Sequence, residues 1–369
     1  MPVYWSMLAV TSFLGIISLY RDRVKIDGIY GIEYKTNYMY AFLSFAYIVF
    51  FCSFRDSVLD TEAYINSFNA APTNWEGLKW YIRLARTGKG FYLIQGIFKI
   101  CISDNHYAWL AFLAGISSIC MLRTLYRYSE NFPLSAYLFV ANTTFTWLLN
   151  GTRQFLAVSI LFAFSEWMIK GKRWRYIILA MVLSTLHTSA IFVVPVCLFV
   201  SANKIWDKKM ILFVLITIIG TRYSERIFSL LNRGLDRDYS SSLAGGTGST
   251  ILRLAVAVVP VLIIFIAKRC VEMKADERIY LAANMSLVGA CFYFASTFTS
   301  GILVGRMPIY FSIYNLYLLP WLIHHCFEKK SKLIVTYFCV MMYLFYFYYQ
   351  MMIAWSGLPY ISEFLHLRY

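Results

Sequence analysis

Apolar runs long enough to approach or exceed a bilayer's thickness follow one another along nearly the whole chain. They fall at residues 3–20, 38–54, 106–122, 133–149, 154–169, 176–201, 209–221, 251–267, 279–298, 305–325 and 333–352. A helix rises about 1.5 Å per residue against roughly 30 Å of hydrocarbon, so about 18 apolar residues read as a span. Backbone N–H and C=O groups find no water there, which leaves helix as the expected state of each run. No interval between runs is long enough for a separate soluble domain, so residues 1–369 are expected to form a single all-α membrane domain. The 14% charged fraction agrees, since soluble domains carry about a quarter. Val3–Tyr20 has no basic segment before it and no small-residue cleavage site after it, so it reads as a span and not as a removable signal. The eight cysteines form no CxxC pair, and neither a disulfide framework nor a zinc site is expected.

Charge orients the spans. The loops around Arg21–Lys35, Arg123–Arg127, Lys170–Arg175, Lys204–Lys209, Lys268–Arg278 and Lys329–Lys332 hold 20 of the 34 Lys and Arg residues. Cytoplasmic loops collect such residues. All six lie inside only if both termini are extracytoplasmic and run 176–201 doubles back as a hairpin of two short spans. The total is then about twelve crossings, with His187 at the outward tip. Segment 55–105 becomes extracytoplasmic, and its stretch 90–103, too short to cross, is expected to be an amphipathic helix on the outer leaflet. Segment 222–250, rich in Ser and Gly at its end, is expected to be an extracytoplasmic gating loop or an ordinary connection.

With that topology, four polar constellations reach the same side of the membrane. Phe54-Arg55 leads into Asp60 and Tyr64, which share a helix face if the helix continues. Asn150-Gly151-Thr152-Arg153-Gln154 forms a polar turn that places Arg153 and Gln154 at a helix start, where free N–H groups favour an anion. His187-Thr188-Ser189 sits inside an apolar hairpin. Arg306 and Tyr310 stand one turn apart where another span begins. Each has an ordinary alternative: Asp60 as a helix cap, Tyr64 as interfacial belt, the arginines as headgroup anchors, His187 as a packing residue. Their common side is what raises them, together with the fit of guanidinium groups to phosphate oxygens.

Other features carry less. Asp236-Arg237-Asp238 has a spacing that can hold a cation beside a sugar phosphate, but so short a motif arises by chance. His324-His325 reads as interfacial. A phosphate-binding G-x-x-x-x-G-K-[ST] loop is absent from the sequence. The pI of about 9.4 reflects charge divided between two membrane faces, which favours lipids and lipid phosphates over nucleic acid.

These residues resemble the EpsG family of Wzy-type polysaccharide polymerases. The resemblance rests on Phe54-Arg55 with Asp60 and Tyr64, Asn150-x-x-Arg153-Gln154, His187-x-Ser189-Ala190, and Arg306 with Tyr310-Phe311 and Leu319-Pro320. It implies a GT-C-like helical glycosyltransferase of the bacterial cytoplasmic membrane acting at the outer face on undecaprenyl-pyrophosphate-linked oligosaccharides, with a chain-length co-polymerase as partner. It implies that Arg153, Arg306 and Arg55 bind the pyrophosphate, that His187 or Asp60 is the base, and that Tyr64, Gln154, Tyr310 and Asn150 orient substrate. No metal and no cofactor is expected, because arginines already neutralise the leaving group. Asp56 and Glu62 crowd Asp60, leaving open which carboxylate serves. An O-antigen ligase and a flippase of the same lipid-linked sugar are the competing readings.

Overall fold

Asparagine and aspartate side chains set where many of the helices begin. Asn37 accepts from Met39 N, Asn105 from Tyr107 N, Asn131 from Leu134 N, Asp207 from Met210 N and Asp276 from Ile279 N, all between 2.7 and 3.1 Å. Each satisfies an N–H that the helix leaves without an internal partner. The structure is a computed structural model and describes residues 1–20, 23–28, 31–224, 248–299, 301 and 304–368.

The chain is mostly helical and divides into two compact units. The first comprises Met1–Ala163, Ile178–Ile191 and Phe327–Tyr369. Its elements are α1 (Pro2–Tyr20), β1 (Arg23–Gly28), β2 (Gly31–Thr36), α2 (Tyr38–Ser53), α3 (Thr61–Asn69), α4 (Trp75–Leu84), α5 (Lys89–Cys101), α6 (His106–Tyr128), α7 (Phe132–Ala141) and α8 (Thr152–Ala163). The second unit, Phe164–Ile177 and Phe192–Cys326, holds α9 (Glu166–Ile169), the start of α10 (Arg173–Ser184), α11 (Val193–Phe199) and α12 (Lys208–Arg222). It continues with α13 (Ile251–Ile266), α14 (Lys268–Lys274), α15 (Glu277–Phe298), α16 (Ile309–Ser312) and α17 (Asn315–Cys326). Helix α18 (Lys329–Tyr348) and the short strands β3 (Ile361–Ser362) and β4 (Leu367–Arg368) return to the first unit.

Four helical segments among the described residues are long and apolar enough to cross a membrane: Pro2–Leu19, His106–Tyr128, Glu277–Phe298 and Lys329–Ala354. A fifth arises if α13 and α14, bent by 80°, count as one. Other apolar runs are interrupted. Run 133–149 breaks after α7, where Thr143 takes a left-handed φ of 58° and a 3-10 turn over Thr144–Leu148 follows. Its Asn-Thr-Thr sequence offers side chains that compete with the helix for backbone partners. Run 154–169 starts at Thr152 and breaks between α8 and α9. Run 176–201 doubles back: at its two ends Arg173 Nη2 donates to the Val200 carbonyl at 3.1 Å. The all-helix expectation needs one amendment, because β1–β2 and β3–β4 are antiparallel hairpins. The proposed gating loop 222–250 and Asp236-Arg237-Asp238 lie mostly or wholly outside the described residues.

In the first unit, Trp109 organises the segment that follows α2. Fully buried, it lies against Phe68 (5.6 Å between centroids), Phe91 (5.6 Å), Phe98 (5.2 Å) and Phe112 (5.7 Å), joining α3, α5 and α6. Polar ties reinforce this: Gln95 Nε2 donates to Ser67 O at 2.7 Å, and Lys99 Nζ donates to Phe68 O and Asn69 O at 2.9 and 2.7 Å. Lys99 thus places a cation at the C-terminus of α3, where the helix dipole favours one. In the second unit, buried Asn284 does similar work, donating to Ser201 O and Lys204 O and accepting from Trp206 N. Gly289 lets α15 approach α16, since a Cβ there would stand 3.0 Å from Ser312 N.

Candidate functional site

Arg55 follows α2 directly and is 0% exposed. Its Nε donates to Thr61 Oγ1 at 2.9 Å, its Nη2 to Thr152 Oγ1 at 3.3 Å, and its Nη1 to the Cys52 carbonyl. Every one of these partners is neutral. Burial lowers its pKa below the ordinary arginine value, and nearby Cys52, Tyr64, Tyr360 and Tyr4 pull it back up. A guanidinium stays charged in proteins, so Arg55 is a buried cation without a counter-ion among the described residues. It binds the starts of two helices, α3 through Thr61 and α8 through Thr152.

The turn into α8 requires glycine. Gly151 has φ 76°, and a Cβ there would meet the Trp147 ring at 3.0 Å. The next two residues are Thr152, held by Arg55, and Arg153. The Arg153 guanidinium carbon lies 5.3 Å from the Phe91 ring centroid and 5.9 Å from those of Tyr64 and Tyr92. The Arg153 backbone N–H lies 3.5 Å from the Tyr64 hydroxyl. Its Nε is buried with no hydrogen-bond partner, and its side chain forms no ion pair among the described residues. Three ring faces offset part of the cost of holding this charge, while the donor capacity stays unspent. Asn150 Oδ1, in the same turn, is also buried and unpartnered among the described residues.

Two glycines bring the 185–189 segment to this place. Gly88 precedes α5 at φ 71°, and a Cβ there would stand 3.4 Å from Arg153 Nη1 and 3.5 Å from the Leu186 carbonyl. Gly90 N donates to Thr185 O at 3.0 Å, and a Cβ at Gly90 would collide with the Thr185 side chain. His187 follows Leu186, with its Nδ1 2.6 Å from Ser189 Oγ, which fixes the ring's orientation.

The three neighbouring carboxylates separate by what they touch. Asp56 accepts from Tyr107 Oη and Glu363 N, both at 2.7 Å. Glu62 accepts from Ser57 Oγ at 2.9 Å. Asp60, exposed just ahead of α3, makes no side-chain cap hydrogen bond. Asp56 therefore belongs to the scaffold, whereas Asp60 stands exposed ahead of α3.

The structure thus brings Arg55, Tyr64, Asn150 and Arg153 into one locality of the first unit, with the segment carrying His187 beside it. Gln154 is fully buried on α8. Arg306 and Tyr310 belong to the second unit, where Arg306 is exposed in the turn ahead of α16 and Tyr310 is buried within it. Phe91 and Tyr92 were not legible as site residues, because aromatics are common throughout such a sequence. The Gly88-x-Gly90 pair at a helix start was a usable sign of close backbone approach.

Helices of spanning length define a multi-helix membrane protein, and its first unit holds a buried cluster of polar side chains around Arg55 and Arg153. The chain belongs to the EpsG family, which it matches over residues 38–362. No curated protein and no solved structure matches it.

Proposed function

We propose that this chain is a polysaccharide polymerase that joins undecaprenyl-pyrophosphate-linked repeat units at the outer face of the bacterial cytoplasmic membrane. Family membership is consistent with a polysaccharide-polymerase-like function. The observation that carries the proposal is Arg153, a cation held under three aromatic rings with a buried Nε that no described protein group engages. An oligoanion such as a diphosphate supplies the missing acceptors.

In this reading the acceptor sugar hydroxyl attacks the donor anomeric carbon. The bond from that carbon to the diphosphate oxygen breaks, and undecaprenyl pyrophosphate leaves with the electron pair. Asp60 or His187 takes the hydroxyl proton. Arg153 meets the charge that grows on the leaving group, a contact whose loss typically costs about 3–4 kcal/mol of barrier. Arg55 adds positive potential from behind and, through Thr152, sets where α8 begins. Tyr64 and Asn150 orient substrate, and Gln154 backs them from α8. In the second unit, Arg306 is a phosphate-binding residue and Tyr310 its support.

The topology proposed with this function has about twelve crossings in a GT-C-like arrangement, both termini extracytoplasmic, and 90–103 at the outer leaflet. It is supported by the meeting of segment ends that charge alone assigns to one side: Phe54–Asp56, Gly88–Phe91, Asn150–Arg153, Thr185–His187 and Tyr360–Glu363 all gather in the first unit. Membrane lipids and a chain-length co-polymerase are the proposed partners. The test is turnover by purified protein of a synthetic lipid-linked repeat unit, with and without chelator. Polymer and free undecaprenyl pyrophosphate are expected in both arms. Hydrolysis or transport without a new glycosidic bond would overturn the proposal.

A further inference from the structure

The C-terminal turn presents an open depression of about 530 Å³ lined by Ser362, Glu363, His366 and Arg368. Its volume falls within the usual range for small-molecule sites, about 300–1,000 Å³. We infer that this depression is a glycan-binding subsite that holds the sugar end of a substrate or the growing chain, separately from the Arg153 locality. The identity of the glycan rests on the polymerase reading.

The turn is rigidly built. β3 pairs with β4, and Ile361 bridges Ser57, with Asp56 N donating to Ile361 O at 2.9 Å. Ser362 Oγ donates to the Phe54 carbonyl and accepts from Leu365 N at 3.1 Å. Buried Tyr360 donates its hydroxyl to Phe51 O at 2.9 Å. These ties preorganise the lining before any ligand arrives, which lowers the entropic cost of binding.

The side chains of Glu363, His366 and Arg368 make no hydrogen bond or ion pair with one another or with other described residues. They offer a carboxylate acceptor, a five-donor fork and an imidazole that can do either. A mixed set of this kind suits vicinal hydroxyls, each of which both donates and accepts, better than it suits an anion. Beside them Phe364 stacks on Phe54 (4.3 Å, 10° between planes) and remains 57% exposed. It is a braced aromatic surface next to polar groups, the combination that sugars need for their apolar and hydroxyl faces.

The experiment uses the full chain in nanodiscs and, as probe, lipid-free oligosaccharides cut from the producing cell's own surface polysaccharide, with malto-oligosaccharide as control. The wild type is expected to bind the cell's glycan selectively. Glu363→Gln, whose side chain makes no hydrogen bond of its own, should weaken binding about tenfold, the scale of one charged hydrogen bond, and Phe364→Ala, which removes the aromatic face, by a similar factor. Arg153→Ala should bind the free glycan as the wild type does. Equal binding by wild type and Glu363→Gln, or no binding by a folded wild type, overturns the subsite. Glycan binding that persists in a protein that cannot polymerise removes the polymerase reading and leaves the subsite standing.

Discussion

Arg55 reaches across 97 residues of sequence to donate to Thr152 at 3.3 Å. That one contact couples the end of α2 to the start of α8, so the residue beside Thr152, Arg153, is placed by a charge that is itself fully buried. The locality is assembled by a cation that serves as a structural donor, and presented by a second cation whose donors are unspent.

Removing the hydroxyl tests the coupling. Thr152→Val keeps the shape but deprives Arg55 of one acceptor in a buried setting, a loss of about 1.5–3 kcal/mol for a hydrogen bond to a charged group. Thermal unfolding in detergent should shift downward and turnover should fall, while Thr152→Ser keeps both. A Thr152→Val protein as stable as the wild type would contradict this account of Arg55.

The glycines at the start of α5 make a steric prediction. Gly90→Ala drives a methyl into Thr185 and should displace the segment leading to His187, lowering polymer yield without loss of membrane insertion. Adding Thr185→Ala should restore part of the activity by removing the side-chain oxygen. Polymer length and membrane protein level, measured together on the single and double variants, check this.

The carboxylates should differ in kind. Asp60→Asn and His187→Gln should both leave the melting temperature near that of the wild type, and the one that removes the base should abolish or sharply reduce turnover. Asp56→Asn should lower stability, because Tyr107 and Glu363 N both lean on that carboxylate. Glu62→Gln should change little, since its one partner, Ser57, can donate to an amide oxygen as well.

Trp109 should be the costliest single truncation in the first unit. Replacing a buried aromatic of this size by alanine typically costs about 3–5 kcal/mol, and here the cavity would open among Phe68, Phe91 and Phe98. Because Phe91 also faces Arg153, Trp109→Ala should reduce activity along with the melting temperature. A melting temperature within error of the wild type would contradict the packing described.

Much of this arrangement could be read from the sequence, for physical reasons. Hydropathy exposed the helical runs, and polar residues at the ends of two of them, Arg55 and Thr152, meet in the first unit. Polar motifs beside or within the apolar runs singled out Tyr64, Arg153, His187 and Arg306 alike; the first unit brings Arg153 to Tyr64, whereas Arg306 belongs to the second unit. Helix breaks were harder to see, because a left-handed Thr143 and the gap between α8 and α9 leave an apolar run unchanged in composition. The cage residues Phe91 and Tyr92 were hidden among 30 Phe and 29 Tyr. The C-terminal turn, with its contacts to Phe54 and Asp56, depends on partners some 300 residues away, which no local pattern reports.

The most direct measurement is steady-state turnover of a synthetic undecaprenyl-pyrophosphate-linked repeat by purified wild type, Arg153→Lys and Arg153→Ala, each shown to be folded. The account predicts a fall of about 10²–10³-fold for Arg153→Ala, the usual cost of losing one donor to a developing anion, and a partial loss for Arg153→Lys. Wild-type turnover by Arg153→Ala would contradict it.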